Sequence, residues 1–414
     1  MNKSGHIAFK IGLAVAFLFT SWVEISAQGQ AIISGQDTSR RVITSAVPFL
    51  TISPDARSGA MGDVGAAISA DANSVHWNGS KLAFIDTKYG FSLSYTPWLG
   101  KIINDMSLSY LSGYYKITRE QTVAMSLRYF DLGDIFFTDE FGVDNGQFSP
   151  RELAVDATYS RLLAENFSLG VAIRYIHSNL TGNFSSSTIE ARPGNSVAVD
   201  FSAYWEKDLL LSGANSKFAL GGSITNIGAK LSYSDEDNKD FIPTNLRLGT
   251  AFTTNLDPFN TLTFALDFNK LMVPSPPVYE IDPNTGALVV DTDGNPIIAR
   301  GKDPNRGLLS GMFGSFADAP DGFSEEMQEF MIGLGLEYWY NDIFAARGGY
   351  FYENKNKGNR QYFTMGVGFR YQVFGIDFAY MVPTEQNHPL AETLRFTLIF
   401  NFDDYSAVEE TVTE

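Results

Sequence analysis

The stretch 362–382, YFTMGVGFRYQVFGIDFAYMV, narrows the choice of fold more than any other part of the chain. Its first half places Phe363, Met365, Val367, Phe369 and Tyr371 on one side of an extended backbone and Thr364, Gly366, Gly368 and Arg370 on the other, because strand side chains alternate with period two. After a tight turn the alternation resumes, with Ile376, Phe378 and Tyr380 against Asp377 and Ala379. One face is large and apolar; the other is small or charged. A soluble sandwich hides its bulky face and gives the polar face to open water, where glycine and paired charge have little use. A turn at Val373 and Phe374 predicts that Arg370 lies directly opposite Asp377 on the small-residue face, as a cross-strand pair. The hairpin reads as one unit of a membrane barrel, with its aromatic face in lipid and the other face lining the lumen.

Composition agrees. Among 414 residues there are 37 Gly, 33 Phe and 19 Tyr, yet the mean hydropathy is only -0.08. Apolar surface is therefore spread over alternate positions and not gathered into helical spans. Beyond the N-terminus no run of eighteen apolar residues exists, which argues against helices that cross a bilayer. The chain has no Cys, which excludes thiol nucleophiles, thiolate metal sites and disulfides. A formal charge of -17 sets the overall field against nucleic-acid phosphate.

Residues 1–27 have the pattern of a secretory signal: Lys3 and Lys10, an apolar core from Ile11 to Phe19, and Ile25-Ser26-Ala27 before the expected cut. The apolar core is too short to span a membrane. Loss of this segment removes Lys3, Lys10 and Glu24 and takes the charge from -17 to -18. From residue 89 onward the alternation predicts about fourteen strands, at 89–97, 105–115, 121–131, 152–162, 167–178, 197–207, 217–227, 244–254, 260–269, 330–339, 343–352, 362–371, 375–382 and 393–402. An even number of strands, mostly of bilayer-crossing length, suits a single-chain antiparallel outer-membrane barrel.

Connection lengths sort in the same sense. Short links at 116–120, 163–166, 341–342 and 372–374 alternate with long ones at 132–151, 179–196, 228–243 and 270–329. Outer-membrane barrels keep short turns on the periplasmic side and long loops outside. The expectation is that both termini are periplasmic, that the 270–329 insert is extracellular, and that 403–414 forms an acidic periplasmic tail.

Residues 28–88 precede the strands as an arm and a plug segment. Within them, 48–84 is rich in Gly and Ala, and Gly59, Gly62 and Gly65 recur every three residues, a spacing that lets a short helix or turn approach another backbone. No strand-then-helix context surrounds these glycines, so they are not a dinucleotide fingerprint. A compact plug in the barrel mouth is the expected role.

Several short motifs in this stretch carry a resemblance. Pro48-Phe49-Leu50, Pro54-Asp55-Ala56-Arg57, Gly62-Asp63-Val64-Gly65-Ala66-Ala67, Asp71-Ala72-Asn73-Ser74 and His76-Trp77-Asn78 resemble the N-terminal signature of the PorV family. That family is the outer-membrane protein of the Bacteroidetes type IX secretion system and is similar in fold to the FadL fatty-acid transporters. The family usually continues with Asn-Pro-Ala, where this chain has Asn78-Gly79-Ser80. The resemblance extends to about Phe402.

It implies a non-enzymatic all-β barrel of FadL type. Such a barrel collects secreted cargo from the type IX translocon barrel, recognises the cargo's C-terminal signal domain through outer loops, and passes it to the surface sortase and attachment complex. Outer-membrane lipid and lipopolysaccharide surround it. On this reading the expected contact residues are Phe136, Phe137 and Phe141 in the 132–151 loop and Met312, Phe313 and Phe316 in the insert, unless they fold back over the lumen. The alternative is a FadL-like channel for hydrophobic small molecules, with the N-terminal segment as hatch.

Opposite the apolar face, the strands present Arg128, Asp156, Arg174, Asp200, Arg247, Asp267, Glu337, Arg347, Arg370, Asp377 and Arg395. Both signs occur in similar number, and buried charge needs a partner or water. A lumen crossed by ion pairs follows; an ion-selective pore would favour one sign.

In the insert, 282–286 and 291–295 are turn formers around Ala287–Val290 and predict a small hairpin. Asp291-Thr292-Asp293-Gly294 is too short for a calcium loop and lacks its closing Glu. His177 and Ser178 are neighbours on a strand and point to opposite faces, so they do not form a catalytic pair. His6 leaves with the signal, His76 belongs to the plug and His388 to an outer loop. No triad, metal cluster or phosphate cradle is visible, and no cofactor is expected.

Overall fold

The computed structural model describes residues 40–100, 105–138, 144–180, 192–211, 213–233, 239–385 and 393–403. Fourteen strands close into one antiparallel barrel. In chain order they are β1 (Tyr89–Pro97), β2 (Ser107–Lys116), β3 (Gln121–Asp131), β6 (Arg151–Ala164), β7 (Phe167–Asn179), β8 (Gly194–Leu211), β9 (Ala214–Gly228), β10 (Asn245–Asp257), β11 (Asn260–Leu271), β14 (Phe330–Tyr340), β15 (Phe344–Tyr352), β16 (Gln361–Tyr371), β17 (Phe374–Pro383) and β18 (Leu394–Phe402). The other four strands stand in long loops: β4 (Ile135–Thr138) pairs with β5 (Asp144–Phe148), and β12 (Val278–Tyr279) with β13 (Ile298–Arg300).

The alternation read from sequence is the alternation of the wall. In β1, Gly90, Ser92 and Ser94 are buried inside, while Phe91, Leu93 and Tyr95 face outward and are exposed. The cylinder closes where β1 meets β18, from Tyr89 opposite Phe402 to Tyr95 opposite Phe396. On the outer face of that seam Tyr89 stacks on Phe402 and Phe91 on Phe400, with ring centroids 5.0 and 4.7 Å apart, contacts that add to strand pairing. Among the described residues no helix is long and apolar enough to cross a membrane.

The opening hairpin needs one correction. Tyr371 pairs with Phe374, so the turn is Gln372-Val373, and the residue opposite Arg370 is Gly375, not Asp377. Gln372 adopts a left-handed φ of 52°, a conformation its side chain does not advertise in sequence. Arg370 still reaches Asp377, diagonally, at 2.9 and 2.7 Å. Gly375 makes this possible, because a Cβ there would sit 2.6 Å from Arg370 Cδ.

The insert contains the expected turns. Asp282 N donates to Ala287 O and Asp291 N to Asn295 O, both at 2.9 Å. It also holds two short helices, Leu308–Gly314 and Phe323–Gln328, which the pattern of apolar residues did not separate. Upstream of the barrel, α1 (Ala56–Gly59), α2 (Ser74–Trp77) and two 3-10 turns, Pro48–Thr51 and Gly79–Phe84, fold inside the cylinder.

Candidate functional site

The lumen is occupied by the chain's own residues from 46 to 85. In its outer half, next to the long loops, the filler is apolar. Val47, Phe49 and Leu50 pack against Leu108, Phe130 and Ile176 of the wall, and Phe49 lies parallel to Phe130 at 6.3 Å. Arg128 crosses to this segment and donates to Leu50 O at 2.8 Å, Phe49 O at 3.2 Å and His76 Nδ1 at 2.6 Å. Since a guanidinium only donates, His76 Nδ1 is the acceptor and the imidazole proton is assigned to Nε2.

Deeper in the lumen the filler becomes polar and charged, with a further apolar cluster of Val75, Leu82 and Ile85 against Tyr114 and Ala124 toward the short turns. Asp55 caps α1 by accepting from Ser58 N at 2.9 Å, and also accepts from Trp77 Nε1 at 2.6 Å. Arg57 forks onto Glu337 at 2.8 and 3.0 Å. Glu337 in turn holds Arg347 at 2.7 Å, Arg347 holds Asp377 at 2.8 Å, and Asp377 holds Arg370. This relay of alternating charge runs from the plug along the wall.

Asp267 reaches inward and accepts from Gly65 N and Ala66 N at 2.7 and 2.8 Å. Arg247 lies over the Trp77 ring at 4.6 Å and donates to Trp77 O and Asn269. Arg174 bridges Asp156 and Asp200, and Arg395 meets Asp63 at 3.4 Å. Ten of these eleven strand charges are buried, and Arg370 is partly buried.

What sequence reasoning missed is that five of these charges, Arg128, Arg247, Asp267, Glu337 and Arg395, answer to the plug. Arg57, Asp63 and the backbone at 65–66 are among their partners, and all lie in the glycine-rich motifs. Close approach explains the glycines themselves. Gly62 has φ +69°, and a Cβ there would fall 2.6 Å from both Leu334 O and Tyr350 O. At Asn78-Gly79-Ser80 the turn is made by the Asn78 side chain, which accepts from Ser80 N at 3.2 Å and donates to Ala66 O and Ala203 O. Such a device needs no proline.

Arg41 lies at the long-loop end, bonded to Asn356 O through its backbone and to Asp321 and Glu325 of the insert through its side chain. The described N-terminal residues and Phe402 are therefore at opposite ends of the barrel; the termini themselves lie outside the described residues. The ion cluster around Arg41 ties three segments together. Lys357, between β15 and β16, holds Glu325 at 2.6 Å and Glu329 at 2.9 Å, and Lys270 at the end of β11 holds Glu326 and Glu329. Burial works to raise the Glu325 carboxyl, but its bonds to Arg41 and Lys357 carry it down to about 2.

Of the expected contact residues, Phe136 on β4 and Phe313 in the insert are 65% and 63% exposed, and Phe316 is also exposed. Met312 is buried beneath its helix, so it supports that helix and does not present a surface. Phe137 lies on β4; its side chain, like Phe141 and His388, falls outside the described residues. Leu309, in the same helix as Phe313, and Phe323, in the next, are exposed as well. His177 Nδ1 donates to Asn195 Oδ1 at 2.8 Å on the outer face, while Ser178 Oγ donates to Glu152 Oε1 at 2.7 Å inside, so the two are separate as expected. Among the described residues no cluster of three or more His, Cys, Asp or Glu side chains is arranged to hold a metal.

A closed antiparallel cylinder of fourteen strands, packed with its own N-terminal segment and carrying its long connections at one rim, defines a plugged β-barrel. Residues 35–278 match the family described as type IX secretion system protein PorV, and the chain belongs to that family. Among solved structures it is similar to the Ralstonia pickettii toluene transporter TbuX, with a TM-score of 0.46 and 13% identity over 84% of this chain and 98% of that one. It is also similar to a Pseudomonas aeruginosa FadL homologue, with a TM-score of 0.43 and 10% identity over 88% and 100%. A comparison with curated proteins gives no match.

Proposed function

We propose that this protein is a non-enzymatic outer-membrane carrier of type IX secretion. In this reading it takes cargo from the translocon barrel by way of the cargo's C-terminal signal domain and delivers it to the sortase and attachment complex at the cell surface. Membership of the PorV family is the observation that carries the reading. The geometry supports it in two ways. The lumen is filled by a segment bonded to the wall along its length, so recognition falls to the rim. At that rim, Phe136, Phe313 and Phe316 stand exposed on the β4–β5 hairpin and the insert, and exposed apolar groups of this kind mark partner surfaces.

The outer membrane is the proposed location, with short turns in the periplasm, long loops outside, and the leader removed after Ala27. A channel for apolar small molecules is the weaker reading, because it would have to displace a buried segment held by Glu337, Asp267 and Arg128. The test is affinity purification from native membranes in detergent. Recovery of translocon, cargo or sortase components with the wild type, and their loss with a Phe136→Ser, Phe313→Ser, Phe316→Ser variant that is still folded, is the expected result. A deletion strain that secretes its surface proteins normally would sink the carrier reading.

A further inference from the structure

The plug does not meet the wall evenly. On one side Phe49 and Leu50 close against Phe130 and Ile176; on the other, between residues 51–53 and the strands from β14 to β18, the packing leaves open space. Three cavities adjoin there, of about 470, 380 and 70 Å³, and Thr51 and Arg360 line all of them. The largest is bordered at the long-loop rim by Asn359 and Glu385 and deeper in by Ser53, Asp63, Tyr362 and Arg395. Its size is that of a small-molecule site, about 300–1,000 Å³. The smallest lies against His76 and Trp77 and is sized for water.

Arg395 is the group in this space whose needs are least met. It is 3% exposed, and its side chain's one hydrogen bond among the described residues runs from Nη1 to Asp63 Oδ1 at 3.4 Å, while Nε has no partner. Asp63 is shared, since its other oxygen accepts from Tyr362 Oη at 2.6 Å. The neighbouring Arg360 differs, because Nε and Nη2 both donate to Glu353 at 2.8 Å. Ser53, also 3% exposed, carries a hydroxyl with no partner beside the same cavity. Buried donors left unpaired are costly, and a guanidinium and a hydroxyl lining one cavity are donors that an oxyanion satisfies. Ile52, Trp98 and Met381 add apolar wall around them.

We propose that this cavity binds the oxyanion group, carboxylate or phosphate, of a small amphipathic molecule that enters from the long-loop mouth, with Arg395 as its charge partner and Ser53 as its neutral donor. Asp63 keeps its bond to Tyr362 and yields Arg395 to the incoming group, and the apolar wall takes the body of the molecule. Binding there displaces no part of the plug and requires no passage through the barrel. The site stands whether or not the protein carries cargo.

The test uses the full-length protein folded in an uncharged maltoside detergent, with the heat-modifiable folded band as the check on assembly. Fluorobenzoate followed by fluorine NMR and phenyl phosphate followed by phosphorus NMR are the anionic probes, and fluorobenzyl alcohol is the uncharged control. The expected result is saturable line broadening of at least one anion and not of the alcohol. Affinity should weaken by about tenfold or more in Arg395→Gln and by about three- to tenfold in Ser53→Ala. Which anion binds distinguishes carboxylate from phosphate, and either one supports the site. If Arg395→Gln does not fold, Ser53→Ala decides alone. Failure of both anions to bind the wild type, equal binding of the alcohol, or unchanged affinity in either folded variant overturns the proposal.

Discussion

The two halves of the lumen are filled by one continuous segment but held by different forces. Near the long loops, Phe49 and Leu50 sit against Phe130 and Ile176, and burial of apolar area does most of the holding. Deeper in the barrel, Arg57, Asp267 and Glu337 make charge-assisted bonds in a setting where an unpaired partner is costly. An apolar seat tolerates small displacements, because contacts are lost gradually; an ionic seat holds one position and then fails abruptly. The inner half is therefore the fixed register of the plug and the outer half its adaptable end.

The comparison can be broken first at Glu337. Glu337→Ala strands Arg57 and Arg347 together, and a loss of about 3–5 kcal/mol is expected, since removing one side of a buried ion pair leaves the other uncompensated. The melting temperature of the folded band in semi-native electrophoresis reads it. Phe49→Ala in the outer half should cost about 3 kcal/mol, the low end for such truncations because a mouth-side site can partly collapse. Its melting should also keep the wild-type dependence on salt. A plug with equal ionic character in both halves would make the two variants respond alike.

Asp267→Asn keeps the shape but weakens two bonds from Gly65 N and Ala66 N, with an expected cost of about 1.5–3 kcal/mol. Increased protease access to 59–66 without unfolding of the barrel would mark the inner seat as the one released.

Acid separates the rim from both halves. Glu325 is held at about 2, below its ordinary 4.5. The stability it lends the clamp is therefore complete above pH 4.5 and is lost as the pH falls through 2. Proteolysis of the insert with an acid-active protease should rise across that window, while Glu325→Gln should flatten the profile. Smallest of all, Phe136→Ser should change stability by no more than about 0.5 kcal/mol, because its exposed ring is placed for contact and not for folding.

Much of the wall was legible from sequence because a lipid-facing strand must alternate along its whole length. The span 121–131 is β3 to the residue, whereas β8 runs three residues earlier and four later than 197–207, where it passes the apolar band and loses its pattern. The register between β16 and β17 slipped because Gln372 takes a turn conformation that Gly or Asn would have announced. Lumen charges were legible as a set but not as pairs. Glu337 answers Arg57 across 280 residues, a distance over which no local rule operates. The direction in which the plug enters was illegible for the same reason, since it depends on Arg41 finding Asp321 and Glu325.

A thread that already passes from mouth to floor restricts how the molecule can be made. Once β1 and β18 are zipped, the plug could enter only by drawing its N-terminal end through so crowded a tube. The segment synthesised first must therefore lie in place while the sheet curls about it, and the join between first and last strands is the closing step. Whatever machinery inserts this protein into its membrane has to accept a half-wrapped intermediate with its core already seated.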